Sequence, residues 1–150
     1  MKRLLLLLVM ATPLLAHHSL AKYDTTTPVR VKGTIVQVNM INPHSIIYLE
    51  EKLPDASVRR WAIEGPSILQ LNRTNFPKDA LKYGDVVEVC GYAPKETTMW
   101  QIQKPESDTS ISGRLLNGES MVMPNGKQES WGDYGVHKCF AAGYTDQHSK

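Results

Sequence analysis

The sequence predicts a mainly β fold, a small closed barrel with one short helix, and three observations carry that expectation. Val29 to Val38 alternates apolar and polar residues at period two with β-branched residues dominant, the pattern of a strand with one buried face. Strand, strand, strand, short helix, strand is the order of elements over about 60 residues, that of a five- to six-stranded OB-like barrel whose helix lies between strands 3 and 4. Gly, Pro, Asn and Asp punctuate the apolar runs at each predicted turn.

The elements follow in order. Asn42-Pro43-His44 interrupts the first strand, and Ile46 to Glu50 resumes as the second. Asp55-Ala56-Ser57 is the next turn, and Val58 to Glu64 is the third strand, with Trp61 and Ile63 as its apolar residues. Gly65-Pro66 ends it. Ser67 is placed to cap a short helix whose apolar residues are Ile68, Leu69 and Leu71, closed by Asn75-Phe76-Pro77. Leu81 to Asp85 turns the chain into a fourth strand, Val86 to Tyr92. Beyond Ala93-Pro94 the pattern weakens: Met99 to Gln103 is a fainter strand, and Ser120 to Met123 with Lys127 to Trp131 reads as a terminal hairpin around Pro124-Asn125-Gly126. The domain expected is 17–131, followed by a tail over 132–150.

The N-terminus carries an export signal. Lys2 and Arg3 precede the apolar Leu4 to Ala11, and Thr12 to Ala16 forms a short region ending in a small residue. The apolar stretch is shorter than the roughly 20 residues that span a bilayer, so no stable membrane span is expected once the signal is gone. Two cut sites compete: after Ala16, which exposes His17, and after Ala21, where Ser19 gives a better small-x-small match. The expected location is the bacterial periplasm.

Charge narrows the function classes. The chain has 17 basic and 15 acidic side chains, and loss of Lys2 and Arg3 with the signal leaves the two balanced. No basic stripe speaks for nucleic acid. The two cysteines, Cys90 and Cys139, are a disulfide candidate in an oxidising compartment, with a Cys139–His137 metal pair as the rival reading.

The sharpest chemical feature is Ala16-His17-His18-Ser19. If His17 begins the mature chain, its amine and imidazole nitrogens together with a second imidazole suit copper(II) in a tetragonal field. His44, in an irregular turn between two strands, is the best second imidazole, and His18 is next. Tyr23 is a candidate for a position near the axis, and Asp24 or Glu64 for orienting a ring nitrogen. Against this stands the plain reading of Asn-Pro-His as a solvated turn. Ser19 lacks a base and orienting group for nucleophilic catalysis. Trp61 reads as core, whereas Tyr92, Trp100 and Trp131 leave open an aromatic surface on one barrel face.

His17-His18-Ser19, Tyr23-Asp24, Gly33 to Val36, Asn42-Pro43-His44, Trp61 to Glu64, Gly84 to Val87 and Met123 to Gly126 together resemble a family of small exported bacterial proteins of unknown function. The resemblance implies export and a small β-barrel and brings no assigned catalytic residues. Residues 132–150 depart from it.

Two classes of function remain. One is a binding protein for copper or another divalent ion; the other is a non-catalytic accessory module that recognises a partner protein or small ligand in the cell envelope. No catalytic constellation is found, so no enzyme is expected.

Overall fold

The computed structural model describes residues 20–74, 76–77, 79–95, 99–102, 111–131 and 140. After a 3-10 turn at Leu20–Lys22 come β1 (Tyr23–Asn39), β2 (Ile46–Lys52), β3 (Val58–Glu64), α1 (Ile68–Arg73), β4 (Val86–Pro94), β5 (Met99–Ile102), β6 (Ile111–Val122) and β7 (Gln128–Ser130). Five strands close a ring in the order β1-β2-β3-β6-β4, and β4 returns to β1. All pairings in the ring are antiparallel except β3 with β6, where Trp61–Glu64 run parallel to Arg114–Asn117. The mainly β, OB-like barrel with a helix between strands 3 and 4 is therefore the observed fold. β5 and β7 extend the sheet by pairing with the two ends of β6.

Alternation decides which side chains enter the barrel. Val29, Val31, Ile35, Ile47, Leu49 and Ile63 point inward with Trp61, Val87, Val89, Leu116 and Met121. The intervening residues face outward, except where bulges between Ile35 and Gln37 in β1 and between Cys90 and Gly91 in the β4–β6 pairing shift the register. A second apolar cluster lies on the outer face: Tyr23, Tyr48, Ala62, Tyr92 and Leu115.

α1 caps one end of the barrel. Ser67 accepts from the Gln70 backbone N–H at 3.2 Å while the Gln70 side chain accepts from the Ser67 N–H at 3.3 Å, a reciprocal capping box. Leu71 and Phe76 join the interior cluster below it. Phe76 meets Trp131 edge to face, with ring centroids 5.2 Å apart. Trp131 can lie there because Gly65 and Gly118 have no side chains: a Cβ on Gly118 would come 2.7 Å from the indole, and one on Gly65 would overlap it.

The structure corrects two sequence expectations. The first strand begins at Tyr23 rather than Val29, because Tyr23 pairs with Pro94 beyond an irregular stretch. The expected terminal hairpin is present, with β6 and β7 paired around residues 124–126, and its first arm extends back to Ile111 to supply the closing strand. Tyr92 and Trp131, read as less clearly buried, are 4% and 1% exposed, and the Trp100 side chain lies outside what the structure describes. Among the described residues no helix is long and apolar enough to cross a membrane.

Candidate functional site

The polar centre of the outer face is Glu64, the last residue of β3. It shares that face with Ala62 because side chains alternate along the strand, and it stands opposite Ile46 of β2 and Asn117 of β6. Tyr23, at the start of β1, donates its phenolic hydrogen to Glu64 Oε2. Burial, then the Glu64 carboxylate, push the Tyr23 hydroxyl well above the ordinary tyrosine range, so it remains a phenol and a donor. Lys22 brings its ammonium 3.6 Å from the same oxygen and lies 5.0 Å from the centre of the Tyr23 ring.

His44 approaches from the β1–β2 loop. That loop is fastened to the end of β3, with Ser45 N–H bonded to Pro66 O at 3.0 Å and Gly65 N–H to Ser45 O at 2.8 Å. The imidazole Nδ1 is 3.3 Å from Gly65 O and 3.4 Å from Glu64 Oε1. A carbonyl only accepts, so a bond to Gly65 O places the proton on Nδ1 and the neutral ring's lone pair on Nε2. This is the arrangement by which a backbone carbonyl and a carboxylate orient a ligating histidine.

Three of the residues singled out in the sequence, Tyr23, His44 and Glu64, thus converge. Asp24 does not. Its carboxylate accepts from the Thr26 hydroxyl at 2.5 Å and the Thr26 N–H at 2.9 Å, contacts that hold its pKa below the ordinary carboxylate value. His17, His18 and Cys139 lie outside the described residues, whereas Cys90 is fully buried on β4. Among the described residues, no three His, Cys, Asp or Glu side chains are grouped to hold a metal ion. Sequence reasoning missed Lys22, whose position depends on the strand beginning earlier than its alternation suggests.

A separate cavity of about 240 Å³ lies between the β1–β2 loop and α1, lined by Met40, Ile68, Leu71, Asn72 and Phe76. Ile41 and Leu69, chain neighbours of its lining residues, are half exposed.

Barrel and site together define a small OB-like β-barrel protein with an acidic, histidine-bearing cluster on its outer face. The chain belongs to a family of unknown function, DUF6152, whose model matches residues 6–103. No curated protein and no solved structure matches it.

Proposed function

We propose that this protein is an exported, non-catalytic binding protein that holds a divalent metal ion, copper(II) by ligand type, beside Glu64. The observation that carries this reading is the His44–Glu64–Tyr23 cluster, with His44 Nδ1 turned to Gly65 O and Glu64. Nε2 is then the coordinating atom, and Glu64 and Gly65 O orient the ring. Lys22 and Tyr23 fasten the start of the described chain to the same carboxylate. Five residues of chain span at most about 17 Å, so His17 and His18 lie within tether length of this cluster. Cleavage after Ala16 would add the His17 amine and imidazole to the imidazole of His44, and His18 would be the alternative ligand. Nitrogen ligands of this kind favour copper(II) among divalent ions.

Native intact-mass spectrometry on periplasmically exported protein given stoichiometric copper(II) tests the reading. A mature mass beginning at His17 with one copper retained, and lost in His17→Ala and His44→Ala, is the expected result. A mass beginning at Lys22, or no retained copper, overturns it. The cavity beside α1 favours a second reading, an accessory module that takes a small apolar ligand or a partner's apolar side chain.

A further inference from the structure

We propose that the cavity beside α1 is a binding site for a small, neutral, bicyclic aromatic molecule with one N–H or O–H donor. The proposal rests on the second reading above and names its ligand class. Ile68, Leu71 and Asn72 are spaced three and four residues apart, so they share one helix face and form one wall of the cavity. Leu71 and Phe76 are buried members of the interior cluster and give it a fixed floor, while the half-buried Met40 lines it from the β1–β2 loop.

The lining sets the chemistry of the guest. Four of the five lining side chains are apolar and none is charged, so a charged guest would lose its water without gaining a partner. An apolar cavity of about 150 Å³ holds benzene. The volume here, about 240 Å³, has room for a second fused ring. The Met40 thioether and the Phe76 ring both favour an aromatic guest, through sulfur–ring and edge-to-face contacts. Phe76 is already held edge-on to Trp131, so its orientation is set before the guest arrives. The fifth lining residue, Asn72, is exposed at the rim. Among the described residues none bonds its side-chain amide, which leaves Oδ1 to accept a hydrogen bond from the guest.

The surroundings favour a free small molecule over a protein partner. Ile41 and Leu69, both half exposed, flank the cavity: Ile41 follows Met40, and Leu69 lies three residues before Asn72 and is its neighbour on the helix surface. Exposed apolar side chains around a concavity mark a ligand site. Two of them fall far short of the roughly 800 Å² that a stable protein partner covers. Val58, another exposed apolar residue, starts β3 and so lies at the end of that strand remote from α1.

Two-dimensional amide NMR of the exported protein tests the site, with indole as one probe and benzofuran, its isostere without an N–H, as the other. Expected are shifts centred on residues 40–41, 68–72 and 76, a Kd for indole between about 10 μM and about 1 mM, and binding of benzofuran weaker by about two- to tenfold. Asn72→Leu, an exposed substitution that leaves the interior untouched, should abolish that preference while both compounds still bind. Equal affinity for the two compounds in the unmodified protein, or a preference that survives Asn72→Leu, overturns the inference but leaves an apolar-ligand site. No shift at these residues with either compound at about 1 mM overturns the inference and the second reading together.

Discussion

The Tyr23 hydroxyl donates to the Glu64 carboxylate across 41 positions of sequence, joining the first residue of β1 to the last residue of β3. Tyr23 is 3% exposed, so each group depends on the other. Glu64→Ala leaves a buried phenol without its acceptor and should cost about 1–3 kcal/mol. Tyr23→Phe removes the donor and its need together and should cost about 1 kcal/mol or less. Urea unfolding of the two variants checks the order, and equal losses would refute it.

Alkaline pH should weaken the barrel. Burial raises the hydroxyls of Tyr23, Tyr48 and Tyr92 above their ordinary value near 10, with Glu64 adding to the effect at Tyr23 and Glu119 at Tyr92, and Asn39 partly offsetting it at Tyr48. Unfolded, these groups release their protons as pH passes about 10; folded, they retain them. The native state then binds more protons, so stability is full below pH 10 and falls as pH rises beyond it. Denaturation midpoints between pH 8 and about 11 should decline, and the decline should be smaller in Tyr23→Phe. Absorbance titration of native protein should show these tyrosines ionising later than in the denatured chain.

Much of this fold is legible in the chain because a closed barrel imposes strict alternation on its central strands. Val29–Val38 and Val86–Tyr92 show that alternation, and Ser67 marks the helix start. β6 is harder to read: Ser112, Gly113, Asn117, Gly118 and Glu119 interrupt its apolar pattern, and a bulge shifts its register against β4. Its closing role depends on a parallel pairing with β3 that no local pattern reports. The site divides in the same way. His44 and Glu64 are recognisable by residue type and turn position, whereas the contacts of Lys22 and Tyr23 depend on long-range closure.

Gly118→Ala should be among the most damaging of the small substitutions. Its Cβ would stand 2.7 Å from both the Ile63 side chain and the Trp131 indole, in an interior with no room to give. Overpacking of this kind costs about 1–3 kcal/mol, and Trp131 is 1% exposed. Gly126→Ala, with nothing within 4 Å but φ at +80°, should cost about 1 kcal/mol through backbone strain alone. Trp131 fluorescence should shift to the red in the first variant and stay put in the second.

Metal affinity gives the sharpest comparison between neighbouring acidic residues. Glu64 is 3.4 Å from the His44 ring, while Asp24 is committed to Thr26. If His44 binds copper(II) through Nε2, Glu64→Gln weakens the orienting carboxylate and should lower affinity by about 10- to 100-fold. Asp24→Ala should leave affinity unchanged although Asp24 adjoins Tyr23 in sequence. His44→Ala removes a ligand and should cost more than Glu64→Gln. Competition against a chelator of known affinity reads all three on one scale. Equal affinity in Glu64→Gln and Asp24→Ala would separate the carboxylate from the metal, and a wild-type affinity in His44→Ala would remove the outer-face cluster from the site altogether.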